Sequence, residues 1–321
     1  MTRSVVTGGA GFIGSNLVDA LVRRGDQVLV IDDLSTGRVS NLTGARAAGV
    51  DLRVTDLGGA EARSETVAFA PDVVFHLGAQ ADVRRAVADP IDDARINVLG
   101  TINVLEAARE SEARILFAAT GGAVYGEGEG KELPFDEHAT AVPETPYGVS
   151  KLAGEHYVEM YRLLHGVPGL ALRFGNVYGP RQDPHGEAGV VAIFCGSLLD
   201  GRRPTVFGDG LQTRDYVFVG DAVAALMAAD ERLAAAGSEL TGPLNIGTGV
   251  ETSVLELVDR LGELSDAPFE AELGAARPGE MRRSAIDSSA AGSLLGWSAG
   301  TDLATGLAVT LESVRAERRA P

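Results

Sequence analysis

The stretch Val5-Val6-Thr7-Gly8-Gly9-Ala10-Gly11-Phe12-Ile13-Gly14, taken with Asp32-Asp33 downstream, decides the fold. Short apolar residues precede three glycines spaced three apart, Gly8, Gly11 and Gly14. A helical pattern follows through Ile13, Leu17 and Leu21, with Val18 and Val22 alongside, and a second apolar run, Val28 to Ile31, ends in Asp32. The order predicted is strand, tight turn, helix, strand, acid. One glycine turns the backbone sharply off the strand. One lets a pyrophosphate approach without meeting a Cβ, and one lets the helix lie close on the strand. The free N–H groups and positive end of that helix then face phosphate, with Phe12 and Ile13 in its first turn. Asp32 lies 18 residues beyond Gly14. There it can accept hydrogen bonds from a ribose 2′,3′-diol and would repel a 2′-phosphate, so the predicted cofactor is NAD rather than NADP.

Composition narrows the rest. The chain has 321 residues, 45% hydrophobic and 23% charged, which fits one large domain or two closely packed ones. Its net charge of −17 argues against general nucleic-acid or anionic-membrane binding, while leaving room for local arginines at a phosphate site. Cys195 is the only cysteine, so no intramolecular disulfide can form and a cytoplasmic location is expected. The chain enters a strand almost at once, without a signal-peptide pattern, and no uncharged 18-residue apolar run predicts a membrane helix. There are no internal repeats; the Ala/Gly-rich patches at 44–49 and 232–237 are too short to predict disorder.

Along the chain, strands alternate with long helical patterns. Leu34-Ser35-Thr36-Gly37-Arg38 reads as a loop whose small residues could cover an adenosine ribose, or as an ordinary polar turn. Further strands are predicted at Leu52–Val54, 72–79 and Ile115–Ala119, with helices at 60–69 and Asp93–Glu110. Asp56, next to Leu57, could reach an adenine amino group, and His76 reads as a packed strand-end histidine more than a catalyst. The alternation implies parallel strands with right-handed crossovers, an α/β doubly wound Rossmann sheet. Ligands in such sheets bind at the carboxyl ends of the strands, where Asp32, Asp56, Ala79 and Thr120 fall together.

Pro146-Tyr147-Gly148-Val149-Ser150-Lys151 opens another helix, expected to run through Tyr161. Tyr147 and Lys151 are four apart and share one face. A free tyrosine, with pKa about 10, is a poor base at neutral pH. A neighbouring ammonium, together with a nicotinamide cation, stabilises the phenolate and makes the pair a usable general base.

These motifs, with Gly-x-x-Gly-x-x-Gly in place of Gly-x-Gly-x-x-Gly, resemble the extended short-chain dehydrogenase/reductase family, particularly its nucleotide-sugar epimerases. The resemblance runs through Thr-Gly-Gly-Ala-Gly-Phe-Ile-Gly at 7–14, Asp-Asp-Leu-Ser-Thr-Gly at 32–37, His-Leu-Gly-Ala-Gln at 76–80, Asn-Val-Leu-Gly-Thr at 97–101 and Tyr-Gly-Val-Ser-Lys at 147–151. It continues in Arg-Phe-Gly-Asn-Val-Tyr-Gly-Pro-Arg-Gln at 173–182, Gly-Asp-Gly-Leu-Gln-Thr-Arg-Asp-Tyr-Val at 208–217 and Arg-Pro-Gly-Glu at 277–280. It implies cofactor contacts from Asp32 to Gly37 (Asp33 included), from Asp56 and Leu57, from Leu77, Gly78, Ala79 and Gln80, and from Asn97, Tyr147 and Lys151, which also holds the nicotinamide ribose. It implies a hydroxyl that bonds the sugar O4 and relays its proton to Tyr147. Thr120 is the only hydroxyl in Thr120-Gly121-Gly122-Ala123, but it stands one place earlier than in many members, where Gly121 is found here.

The C-terminal third then resembles a smaller nucleotide-sugar domain interleaved with the first. Asn176, Gly189, Val190, Thr205, Phe207, Gln212, Arg214, Arg277 and Glu280 are implied substrate contacts, joined by Gln80, Thr120, Gly121, Gly122 and Tyr147. Phe207 would pack on uracil, Arg214 and Arg277 would clamp a diphosphate, and Glu280 would hold the uridine ribose. Asn245-Ile246-Gly247 is expected to return to the sheet. The boundaries are 1–175 with 216–248 for the NAD domain, and 176–215 with 249–321 for the substrate domain; the polar tail, 312–321, is expected to fray.

The implied activity is NAD-dependent 4-epimerisation of a UDP-hexose through a transient 4-keto sugar, with no metal. A 4,6-dehydratase would place Asp-Glu directly after the hydroxyl, where this chain has Gly122 and Ala123. A UDP-glucuronate epimerase or decarboxylase would need a cation for the carboxylate, for which Arg84, Arg85 and Arg181 are candidates. An NAD-sensing protein without activity would have little use for the Tyr147–Lys151 pair. The family usually forms homodimers through the helices carrying Asn97 and Tyr147, where Ile102, Leu152 and Val158 could serve. A position four after the acid of Arg-Pro-Gly-acid and three before a later Asp gates the sugar's C2 substituent in resembling epimerases; here it is Ser284, between Glu280 and Asp287.

Overall fold

A computed structural model describes residues 1–128, 130–184, 189–265, 269–277 and 280–319. The strands are β1 (Arg3–Thr7), β2 (Gln27–Asp32), β3 (Asp51–Val54), β4 (Val73–His76), β5 (Arg114–Thr120), β6 (Gly169–Phe174), β7 (Asn176–Tyr178), β8 (Thr205–Phe207), β9 (Thr213–Arg214), β10 (Tyr216–Phe218), β11 (Pro243–Ile246), β12 (Thr252–Ser253) and β13 (Glu272–Gly274). The α-helices are α1 (Phe12–Arg24), α2 (Thr43–Ala47), α3 (Ala60–Phe69), α4 (Val83–Ala88), α5 (Pro90–Ala94), α6 (Gly100–Glu110), α7 (Gly121–Val124), α8 (Pro146–His165), α9 (Val190–Leu199), α10 (Val219–Ala236), α11 (Val254–Gly262), α12 (Ser289–Leu295) and α13 (Leu303–Arg319).

Among the described residues, seven strands form one sheet in the order β11-β6-β5-β4-β1-β2-β3, every pair parallel. Side chains alternate across a strand, so near-continuous apolar runs fill both faces. Val6, Val28, Val30, Val73, Phe75 and Leu116 face one core with Leu17 and Leu21 of α1 and Val223 and Leu226 of α10. Val5, Leu29, Ile31, Val74, Ile115 and Phe117 face the other with Val104 and Leu105 of α6 and Val158 of α8. This is the doubly wound α/β arrangement expected. The chain reverses direction across the sheet between β1 and β4, and the crevice over their carboxyl ends is the switch point where such folds bind ligands.

A separate core gathers Tyr178, Val191, Phe194, Val206, Tyr216, Leu257, Leu261, Leu307 and Leu311, mostly from the C-terminal third. Short sheets β7·β10, β8·β13 and β9·β12 cover it, while β11 pairs with β6 in the main sheet.

Three local expectations need correction. The run expected as one helix from Asp93 starts at Pro90 and passes through a π-helical turn, Arg95–Leu99. The helix that carries Tyr147 continues past Tyr161 to His165, capped by Gly166 at φ +70°. The tail does not fray through Arg319: α13 buries Leu307, Leu311 and Val314, and Arg318 pairs with Asp200 at 2.6 Å. Residues 320–321 lie outside the described residues.

Candidate active site

The glycine turn is close-packed where the spacing requires it. Gly8 sits at φ +67°, and a Cβ there would lie 2.7 Å from the Cα of Gly78. A Cβ on Gly14 would strike the Gly8 carbonyl oxygen. The N-cap of α1 is Gly11, which has no side chain, so the first N–H groups of the helix are left for an anion. Asp32, at the end of β2, is buried; its Oδ2 accepts from the Ala10 N–H (2.9 Å) and its Oδ1 from the Leu34 N–H (2.8 Å). Burial raises its pKa. Each carboxylate oxygen keeps a further lone pair for a ribose diol. Gly37 leaves the carboxylate space, since a Cβ would lie 2.7 Å from Oδ1. Asp33 accepts from both the N–H (2.9 Å) and hydroxyl (2.6 Å) of Ser35, shaping the Leu34–Thr36 loop. Asp56 is held low by the Gly58 N–H and by Arg95, whose Nη1 lies 2.6 Å away. Leu57 fills the space beside Gly78, with its Cδ1 2.5 Å from where a Cβ would be. Glycines without room for side chains, unused helix N–H groups and a buried acid together fit a dinucleotide.

The loop Leu77–Gln80 is tied down by hydrogen bonds whose direction can be read. Thr101 Oγ1 donates to the Asn97 carbonyl (2.6 Å), so it must accept from His76 Nε2 (3.0 Å). His76 Nδ1 then accepts from Thr7 Oγ1 (2.7 Å), which accepts from the Gly78 N–H (3.1 Å). His76 is therefore neutral, and burial pushes its pKa down to about 3. Asn97 Oδ1 takes the Gln80 N–H (2.9 Å), and Asn97 Nδ2 reaches the Gln80 carbonyl (2.9 Å), Asp93 (3.0 Å) and Ser150 (3.2 Å). The Gln80 amide is turned inward to Asp82 and Asp93. The geometry thus gives Asn97 and the Gln80 side chain a holding role on the loop that carries Ala79.

Tyr147 and Lys151 lie in the first turns of α8, which Thr145 caps through the Gly148 N–H at 3.2 Å. A Cβ on Gly148 would lie 2.8 Å from the Ala123 carbonyl oxygen, so the helix starts directly against the segment after Thr120. The Lys151 ammonium sits 4.4 Å from the Phe117 ring centroid, and burial lowers its pKa to about 8. Burial and the Asp93 carboxylate raise Tyr147 to about 12. Lys151 alone therefore leaves this phenol protonated near neutral pH in the cofactor-free protein, and a further cation beside it would lower the value.

A Cβ on Gly121 would lie 2.6 Å from Ile286 Cδ1, so a hydroxyl-bearing side chain there would require Ile286 to shift. A Cβ on Gly122 would lie 3.2 Å from Asn176 Oδ1, a tight contact, and 3.9 Å from Thr120 Oγ1. The Thr120 hydroxyl thus borders the same space as Asn176, which follows β6.

On the C-terminal side, Gly189 caps α9 ahead of Val190. Thr205 and Phe207 lie on β8, and the Arg277 guanidinium stacks 3.5 Å from the Phe207 ring centroid. Burial and the Arg84 charge lower the pKa of Arg277, with Glu280 opposing them. Gln212 is buried, donates to the Phe207 carbonyl (3.0 Å) and leaves its Oε1 without a partner among the described residues. Arg214 Nη1 donates to the Thr213 carbonyl (2.7 Å). Ser284 is 4% exposed, two residues before the Ile286 that packs under Gly121. Pro278 and Gly279 of the Arg-Pro-Gly-Glu motif lie outside the described residues. Among the described residues no cluster of His, Cys, Asp or Glu could hold a metal ion.

Several residues went unread in the sequence. Arg173 pairs bidentately with Glu155 (2.6 and 2.9 Å) and donates to Tyr125 Oη (2.8 Å), which donates to Asn245 Oδ1 (2.8 Å). This buried chain joins α8, β6, β11 and the segment after Thr120. Asp215 accepts from Thr248 Oγ1 (2.6 Å), the Thr248 N–H (2.8 Å) and the Gly249 N–H (3.0 Å). Charged residues in apolar stretches, such as Arg173 in Gly-Leu-Ala-Leu-Arg-Phe, were the available signal. Arg181, a candidate for a sugar carboxylate, instead pairs with Asp19 of α1 at 2.6 Å, on the dinucleotide side.

The fold and site define a Rossmann-type dinucleotide enzyme with a tyrosine–lysine pair. The sequence profile of the NAD dependent epimerase/dehydratase family matches residues 4–247, and the chain belongs to this family. It is 45% identical over 315 residues, 98% of each chain, to a UDP-glucose 4-epimerase of Mycolicibacterium smegmatis. The Thermotoga maritima UDP-glucose 4-epimerase crystallised with UDP-glucose superposes with a TM-score of 0.92 at 38% identity, over 99% of this chain and all of that one. The Thermus thermophilus UDP-glucose 4-epimerase complex with NAD gives 0.87 at 39% identity, over 98% and 99%.

Proposed function

We propose that this protein is an NAD-dependent UDP-sugar 4-epimerase that interconverts UDP-glucose and UDP-galactose. The observation that carries the reading is Tyr147 and Lys151 on one face of α8, whose first turn packs against the segment that follows Thr120, with Gly122 and Ala123 where a dehydratase would need an acid and a base. Thr120 Oγ1 takes the sugar O4–H and passes its proton to the Tyr147 phenolate. Bound NAD⁺ supplies the site that takes the C4 hydride and later returns it to the opposite face of the 4-keto sugar. Lys151 holds positive charge beside the phenolate and orients the cofactor ribose. Arg214 and Arg277 neutralise the substrate diphosphate, and Phe207 backs Arg277 on one face while offering an apolar surface to uracil. Val190 and Gly189 cover the nucleotide, with Thr205, Gln212 and Glu280 near its ribose.

The same reading divides the chain into 1–175 with 216–248 for NAD and 176–215 with 249–321 for the nucleotide sugar. The separate apolar core of the C-terminal third and the return of β11 to the main sheet support it. Among the described residues no helix is long and apolar enough to cross a membrane, and the lone Cys195 is buried; both suit a cytoplasmic enzyme. Homodimerisation through α4–α6 and α8 is part of the proposal. Val158 faces the sheet and cannot serve there, whereas Ile91, Leu99 and Val149 are exposed.

The test is the purified enzyme with UDP-glucose and UDP-galactose, products resolved by NMR. Each sugar should yield the other with no net change in NADH, and Tyr147→Phe should lose at least ~10³-fold in kcat while still binding NAD. A 4-keto-6-deoxy product, or a tenth of wild-type kcat in the variant, would overturn the assignment. A second reading extends the substrate range. Ser284 is small and buried, two residues before the Ile286 that meets Gly121. A side chain this small, in place of a tyrosine, supports acceptance of an N-acetyl group on C2. UDP-N-acetylglucosamine should be turned over, and Ser284→Tyr should abolish that activity while sparing UDP-glucose.

A further inference from the structure

The segment Gly179–Asp183 leaves β7 for the C-terminal half, yet it lies against the glycine turn and is stapled there. Asn16 Nδ2 donates to the Pro180 carbonyl (3.1 Å), Arg181 Nη2 to Asp19 (2.6 Å), and Arg38 Nη2 to Asp183 (3.0 Å). A cavity of about 100 Å³ lies between, lined by Gly11, Phe12, Thr36, Arg38 and Arg181 among others. Among the described residues, two buried polar atoms at this junction have no hydrogen-bond partner, Arg181 Nη1 and Gln182 Oε1. Such atoms are rare in folded proteins, and each asks for a missing partner. An unmatched donor and an unmatched acceptor on two successive residues that both line the cavity fit a group carrying both characters, a phosphate esterified to a ribose with free hydroxyls. Arg181 also holds φ +69°, a conformation costly for a residue with a side chain and one that persists where surrounding contacts impose it, often at ligand clamps.

We propose that Arg181 is a cofactor ligand: its guanidinium clamps the adenosine-side phosphate of the dinucleotide, opposite the amino end of α1. Asp19 fixes one edge of the guanidinium and leaves Nη1 for the phosphate oxygen, a charge-assisted bond in an enclosed place. The clamp comes from the segment that leads into the nucleotide-sugar side, so cofactor release requires that segment to lift from α1. The inference rests on the NAD dependence of the family and not on the identity of the sugar.

The experiment uses the whole, cofactor-stripped protein titrated calorimetrically with NAD, ADP and adenosine. Arg181→Met should weaken NAD and ADP by roughly 10–100-fold and leave adenosine unchanged, with Arg181→Lys in between. Asp19→Asn removes the ion pair but keeps the guanidinium, and should bind ADP within about threefold of wild type. Wild-type affinity for ADP in Arg181→Met overturns the proposal. So does an equal loss for ADP and adenosine, or an Asp19→Asn variant as impaired as Arg181→Met, since each would make the arginine a structural staple. None of these readouts depends on epimerase turnover, so a failed sugar assignment leaves this test intact.

Discussion

At the scale of single residues, Tyr147, the proposed base, is poorly acidic by itself. Its charged form is the phenolate, which burial and a nearby carboxylate disfavour, and both push Tyr147 up to about 12. A cation pulls the other way. Near-ultraviolet titration, with Tyr147→Phe as baseline, should therefore show no phenolate from this residue near neutral pH in the cofactor-free enzyme. NAD⁺ should lower its pKa clearly, and NADH, which lacks the ring charge, should not. A phenolate at neutral pH without cofactor would refute the account. His76 shows the opposite sign of linkage. Its folded pKa, about 3, lies below the unfolded value of 6.5, so it contributes stability that is present above pH 6.5 and is lost as pH falls towards 3. His76→Gln should flatten the acid limb of the unfolding curve over that window. Thr120 can be examined by rescue. Thr120→Val should cost at least ~100-fold in kcat. Moving the hydroxyl to Gly121→Ser should destabilise by about 1–3 kcal/mol against Ile286 and should recover activity only when Ile286→Val makes room.

At the scale of elements, α8 is more than a carrier of two side chains. Its Glu155 lies one turn beyond Lys151 and is buried against Arg173 of β6, which continues through Tyr125 to Asn245 of β11. Removing one charge of a buried pair leaves the other uncompensated. Glu155→Gln should lower unfolding stability in urea by about 3–5 kcal/mol, while the volume-matched exposed change Glu159→Gln should cost under 1 kcal/mol. The π-helical turn at Arg95–Leu99 is a second device of this kind. It lies where Asn97 turns into the protein to meet Gln80, Asp93 and Ser150.

At the scale of the whole molecule, three large apolar side chains stand exposed on the helices proposed for the dimer contact. Ile91 is 82% exposed, Leu99 59% and Val149 54%. The first two lie on the Pro90–Glu110 run and the third opens α8. Isolated exposed apolar residues are ordinary, but three on adjoining helices suit a partner of the same kind. Light scattering at micromolar concentration should give a dimer, and Ile91→Arg with Leu99→Arg should give monomers that still bind NAD. A monomeric wild type would remove this part of the proposal.

The sequence by itself determined the doubly wound sheet, because glycine spacing, apolar runs and a terminal acid are local signals with local causes. The placement of Tyr147 and Lys151 on one helix face was legible for the same reason, since four residues make about one turn. What only the tertiary structure decided depends on groups distant in the chain. Ile286 crowds any side chain at Gly121, and burial, with Asp93 added across an element boundary, raises the pKa of Tyr147. Arg181 lies beside Asp19, 162 positions earlier. No periodicity records such pairings, because the burial and charge that give them meaning exist only once both segments pack over the same ends of the same strands.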